Sequence, residues 1–278
     1  PDGAQLCVDV SQRQRQPQPP VELRPVTPAA PPQPSYPPGA EAAKLNFRSV
    51  ELTGNTAIPT GDPARAWADM AGRDLPAAAA YDLAATLTGL YRNRGYVFST
   101  VIVPDDLVAR GLPEGVLRLQ VIEGFVGQVR FQSEAPLSAR IQEEAQAIAR
   151  ERPLTIGTLE RQLLIINDIP GVTAQAFFQP AGPPGATVLT LNVARRPVTG
   201  FVGIQNRVSR LLGHALIEGR VSLNNPLGLD DSHTLLLQTT DRARLRSVGY
   251  AYDQPLGIDG LALNLFLGRI ESKTAFPE

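Results

Sequence analysis

Few residues in this chain of 278 are of the types that carry chemistry. There is one cysteine, Cys7, and there are two histidines, His214 and His233. One thiol can neither close a disulfide within the chain nor build a thiolate zinc site. Two histidines, both read as strand residues without a partner near in sequence, leave little material for a catalytic triad or an imidazole metal centre. Three acidic pairs stand out: Asp105-Asp106, Glu143-Glu144 and Asp230-Asp231. Neighbours at i and i+1 on a helix diverge, so Glu143-Glu144 reads as a solvated face. Asp230-Asp231 lacks the Asp-x-Asp-x-Asp-Gly spacing of a calcium loop and reads as a hairpin turn. Gly200 and Gly203 do not continue into a glycine fingerprint that opens a helix, which disfavours nucleotide binding. No enzyme, cofactor or metal site is expected. A formal net charge of −1 argues against a nucleic-acid binder, whose affinity rests on many cationic contacts to phosphate.

The chain divides into four stretches. Residues 1–43 are rich in Gln and Pro, with ten of the 26 prolines between Pro17 and Pro38, and read as a disordered or polyproline-like linker. Pro28 and Pro31 stand in P-x-x-P spacing, which such a composition makes common by itself. The chain opens Pro-Asp-Gly without a basic or apolar leader, so a mature form or a fragment is expected.

Residues 44–124 alternate as a strand over 46–52, and Asp62-Pro63 opens a short helix to Ala71. A longer helix follows Pro76, with Leu83, Leu87, Leu90 and Tyr91 on one face and Gly95 at its end. Phe98–Val103 and Gly115–Gly124 read as strands. Residues 125–197 repeat this βααββ order: a strand around Val126–Phe131, helices opened by Ser138 and Thr155, and strands over 172–179 and 187–194. A repeated whole unit is a stronger signal than any single motif.

From Val198 the helical spacing vanishes. Ala215, Ile217, Gly219, Val221 and Leu223 alternate with Leu216, Glu218, Arg220 and Ser222. Leu261, Leu263, Leu265 and Leu267 alternate with Ala262, Asn264, Phe266 and Gly268. About five strands of this kind, aliphatic on one face and small or polar on the other, fit an outer-membrane barrel; a soluble β-sandwich has the same alternation.

The segment from Leu90 to Tyr96, followed by Gly115 and Val121-Ile-Glu-Gly124, resembles the ShlB-type POTRA domain. Arg220–Gly228 and Tyr252–Gly257 resemble early barrel hairpins of the outer-membrane transporters of two-partner secretion. The resemblance implies an α+β chain: POTRA 1 over 44–124, POTRA 2 over 125–197, and the first antiparallel strands of an incomplete transmembrane β-barrel over 198–278. The family's barrel has sixteen strands and an inward loop with an Arg-Gly-Tyr-type motif, beyond the five strands seen here, and residues 1–16 are too polar and short for the family's plug helix. An open five-stranded sheet cannot sit alone in lipid, because its edge amides would lack partners.

The function so implied is transport. POTRA units in the periplasm capture an unfolded, β-helical exoprotein, which leaves through a pore in the outer membrane in contact with lipid. An extended client segment adds to a sheet edge. The first candidate edge is Phe98, Ser99, Thr100, Val101 and Ile102, beside a groove formed by Leu87 and Tyr91. The second is the strand carrying Ala174, Gln175 and Phe177. Arg195 and Arg196 could form a hinge against the barrel rim. The alternatives are a barrel-assembly insertase, which usually carries more POTRA units, and a soluble enzyme with a sandwich tail.

Overall fold

The computed structural model describes residues 36–59, 61–112, 115–257 and 260–273. Cys7, Pro28 and Pro31 lie outside them. Two βααββ units precede an antiparallel sheet.

In the first unit, β1 (Lys44–Leu45) pairs with β3 (Leu75–Pro76), and β2 (Ser49–Thr53) runs parallel to β5 (Val116–Ile122). The strand β4 (Thr100–Ile102) is antiparallel to β5 on its other side. Helix α1 (Gly61–Ala64) is shorter than the sequence pattern implies. Beyond it Trp67 and Met70 donate to carbonyls three residues back, and the Gly72 amide donates to Phe47 O, turning the chain toward the sheet. The alanine-rich helix α2 (Ala78–Asn93) lays Leu83, Leu87 and Tyr91 into a core with Phe47, Leu117 and Leu119. A four-residue helix α3 (Leu107–Arg110) leads back to β5.

The second unit has the same topology. Strand β6 (Phe125–Ser133) is parallel to β8 (Ala186–Arg195), which pairs on its other edge with antiparallel β7 (Val172–Pro180). Helices α4 (Ala139–Arg150) and α5 (Ile156–Asn167) cover the sheet with Ile141, Ile148, Leu159, Leu163 and Ile166. Thr155 caps α5 by accepting the Thr158 amide. Glu144 is buried rather than solvated, because it lies one step from Ala145 on the face of α4 that carries Ile141 and Ile148.

The remaining strands form a meander in sequence order: β9 (Val198–Gln205), β10 (Leu216–Asn224), β11 (Ser232–Thr240), β12 (Leu245–Leu256) and β13 (Leu261–Ser272). Strand β12 runs through Pro255, and His214 lies in the loop before β10 rather than in a strand. No helix among the described residues is long and apolar enough to cross a membrane.

Candidate functional site

The first expected edge, residues 98–102, is committed to the fold. The Phe98 ring stacks against Phe178 of the second unit at 4.7 Å. Ser99 is buried, and its Oγ accepts the Gly124 amide at 3.1 Å. A Cβ on Gly124 would lie 2.3 Å from Phe98 O, so the joint between the units admits only glycine there. The Val101 amide donates at 2.9 Å to Thr88 Oγ1 of α2 instead of standing open. Only Ile102 presents a large exposed side chain. Leu87 and Tyr91, expected to line a groove, are each 1% exposed and belong to the core. The reason is their i, i+4 spacing with Leu83, which turns all three toward β5. The Tyr91 hydroxyl donates to Asn55 Oδ1 at 2.6 Å. Burial, with Glu123 nearby, pushes its pKa well above the ordinary 10.

The second expected edge, β7, is longer. Gln175 and Phe177 stand on the solvent face of its sheet, Phe177 being 48% exposed, while Ala174 faces the core. The backbone of Ala174 is not open, however. Its amide donates to Asn167 Oδ1 at 2.8 Å, and Asn167 Nδ2 donates to Ala174 O at 3.2 Å. The same Nδ2 also reaches Leu163 O at 2.8 Å. Asn167, which the sequence analysis does not single out, thus bridges the end of α5 and β7.

Arg195 and Arg196 end β8, where the second unit meets the meander. Arg195 Nη2 lies 3.0 Å from Asp230 Oδ1, in the β10–β11 turn, with the two side chains 15% and 5% exposed. Arg196 acts through its main chain: its amide donates to Gly171 O at 2.8 Å, and its carbonyl accepts from Asn224 Nδ2 at 2.8 Å. A Cβ on Gly171, at φ +71°, would come within 2.5 Å of Arg196 O. The turn is itself tied, with the Asp230 amide donating to Asn225 Oδ1 at 2.8 Å and the Leu229 amide to Asp231 Oδ1 at 3.2 Å. Asn225 and Asp230 adopt φ of 61° and 58°, which their short polar side chains tolerate. Asp231 Oδ2 lies 2.9 Å from His233 Nε2, and His233 Nδ1 lies 2.7 Å from the Tyr250 hydroxyl. Asp231, His233 and Tyr250 thus share one polar chain, while Asp230 faces Arg195. Among the described residues no cluster of His, Cys, Asp and Glu has the form of a metal site.

Register sorts the meander into two faces. Val202 pairs with Gly219, Gly219 with Leu237, Leu237 with Val248, and Val221 with Leu235, Leu235 with Tyr250, Tyr250 with Leu267. These positions form one apolar face, and Val202 on it is 79% exposed. His233 and Tyr252 sit on the same face at the end near the second unit. The other face carries Phe201, Glu218, Arg220, Ser222, Thr234 and Gln238. Arg220 lies over the Phe201 ring at 5.8 Å, and the Phe266 ring lies flat over Gly249 and Gly268.

The chain is similar to known proteins. The family described as POTRA domain, ShlB-type, matches residues 45–124. The chain is 29% identical over 202 residues to outer membrane transporter CdiB of Escherichia coli, covering 72% of this chain and 34% of that protein. It is 24% identical over 266 residues to the heme/hemopexin transporter protein HuxB of Haemophilus influenzae (strain 86-028NP), covering 91% of this chain and 45% of the relative. The solved structure of CdiB from Escherichia coli superposes with a TM-score of 0.65 at 26% identity, over 91% of this chain and 46% of that one. The chain thus spans about a third to a half of the length of these relatives.

Proposed function

We propose that this chain is an N-terminal part of a ShlB-type outer-membrane transporter of two-partner secretion, and that it supplies the capture arm and first barrel strands of an exporter. The two βααββ units, over 44–124 and 125–197, are tandem POTRA domains in the periplasm, and 198–278 enters the outer membrane. The client is an unfolded, β-helical exoprotein, which adds as a strand to a POTRA edge and passes into the barrel pore.

The observation that carries this reading is the register of the meander. It joins Val202, Leu237, Val248 and their neighbours into a continuous apolar face directly after the second unit. In water such a face is a liability; against acyl chains it is required, because lipid-facing and lumen-facing residues alternate in a barrel. The opposite face, with Glu218, Arg220 and Gln238, suits an aqueous lumen. Of the two edges, β7 is the longer, nine residues against three, and the central amide of β4 is held by Thr88.

The test is secretion by cells in which the full-length gene product is the only transporter of its class, produced with a TpsA-type exoprotein. The exoprotein accumulates in the medium, and Ala176→Pro, which removes an outward amide of β7 without touching the β8 ladder, retains it in the periplasm. Secretion unchanged by that substitution in a folded, membrane-inserted protein refutes capture at β7. A protein that partitions to the periplasm rather than the outer membrane refutes the barrel reading.

A further inference from the structure

The outward groups of β7 are unequal along its length. Because Ala174 turns its amide and carbonyl away from β8, the residues two and four further on do the same, the β7–β8 register being regular. At the start of the strand the Val172 amide donates to Ile169 O at 3.0 Å. Ala174 is held at both its groups by the Asn167 carboxamide, which presents an acceptor and a donor as a neighbouring strand would. At the far end Pro180 has no amide to offer. Between these limits Ala176 and Phe178 remain, and among the described residues their outward groups meet no partner.

We propose that Asn167 is a register-setting cap: it occupies the inner end of the β7 edge and confines a docked strand to the window Ala176–Phe178. The inference rests on strand capture at β7 and adds what fixes its position. The occupant is an uncharged, extended segment of the exoprotein. Alternating amides and carbonyls in strand geometry are matched along their length by another extended backbone, and the solvent-face side chains flanking the window, Gln175, Phe177 and Gln179, carry no charge. The first unit uses a related device, since Thr88 of its second helix holds the outward amide of Val101. There β4 ends one residue later, and no window is left.

The experiment is a disulfide scan in a Cys7→Ser background, with single cysteines at Thr173, Gln175, Phe177 and Gln179, on the whole chain in detergent micelles. The probe is a blocked peptide of seven alternating threonines and valines between terminal lysines, with a thiol at its centre. Cross-linking is strong at Phe177 and Gln179 and about tenfold weaker at Thr173, the factor that two further backbone hydrogen bonds confer. Asn167→Ala raises Thr173 to the level of Phe177. Should that variant not fold by circular dichroism, Asn167→Asp retains the acceptor for the Ala174 amide, removes the donor to its carbonyl, and raises Thr173 part of the way. Equal cross-linking at Thr173 and Phe177 in the parent chain, or a pattern unmoved in a folded Asn167 variant, overturns the cap. Cross-linking at Phe177 that Ala176→Pro does not reduce overturns strand capture itself, and the cap with it.

Discussion

Asp230→Asn should loosen the second unit from the meander. Asparagine keeps the left-handed backbone at this position but removes the carboxylate that faces Arg195 at 3.0 Å. With the two side chains 15% and 5% exposed, the guanidinium is left without its counter-charge in a largely desolvated place. Breaking a buried pair in this way costs about 3–5 kcal/mol; the residual exposure of Arg195 favours the lower figure, about 3 kcal/mol. Arg195→Met should lose a similar amount, since it strands the carboxylate while keeping an apolar stem. The double variant should be less damaged than the sum of the singles by about 2 kcal/mol, because neither charge then remains buried alone. The assay is native-state hydrogen exchange of the Asn224 amide, which bonds across the junction to Pro197, and of the Arg196 amide, which bonds to Gly171 beside it. A local loss of about 3 kcal/mol appears as exchange faster by roughly 150-fold, with the cores of both units unaffected. Unchanged protection in the single variants, or strictly additive losses, would refute the idea that this pair holds the junction.

In the complete barrel proposed above, Leu237→Arg on the apolar face should destabilise the protein by about 2–4 kcal/mol, while Gln238→Arg on the opposite face should be nearly neutral; urea titration of that full-length protein in lipid vesicles checks both. Gly124→Ala forces a Cβ to within 2.3 Å of the Phe98 carbonyl and should lower the thermal midpoint by separating the two units, seen as lost contact between Phe98 and Phe178. Thr88→Val leaves the buried Val101 amide without its acceptor and should cost about 1–3 kcal/mol in chemical denaturation. Backbone amides of His214 and Ala215 donate to Asp241 and hold its carboxyl below the ordinary 3.8. The order this gives the loop before β10 is therefore present above that value and lost as pH falls through the lowered one; Asp241→Asn should abolish the transition in an NMR titration of that loop.

The repeated βααββ plan and the alternating tail are legible in the sequence because each rests on periodicity over many residues. Leu83, Leu87 and Tyr91 recur at helical spacing, and Leu235 and Leu237 at strand spacing, so the faces follow directly. The same periodicity cannot separate a groove from a core, which is why Leu87 and Tyr91 suit either reading until β5 is seen packed against them. Edge status is likewise a property of pairing. Nothing local to Val101 announces that Thr88, thirteen residues earlier, takes its amide. The junction is the hardest case: Arg195 meets Asp230 only because β10 returns beside the end of β8, a contact of thirty-five residues' separation.

These tertiary bonds change what kind of edge binder the arm can be. A sheet edge open along its whole length accepts a strand in several registers and also invites self-association. In this chain side chains rising from the helices close part of each edge, Thr88 the Val101 amide of β4 and Asn167 both groups of Ala174 on β7. What remains is short, bounded by Ala174 at one end and by Pro180 at the other, and the close packing of Gly171 against Arg196 and Asn224 ties the start of β7 to the meander. Few hydrogen bonds in so small a window mean weak, quickly reversed capture, since each contributes only about 0.5–1.5 kcal/mol net. Under the proposed capture, that weakness suits a client that must be released to move on, and directionality then comes from the geometry of the arm rather than from affinity.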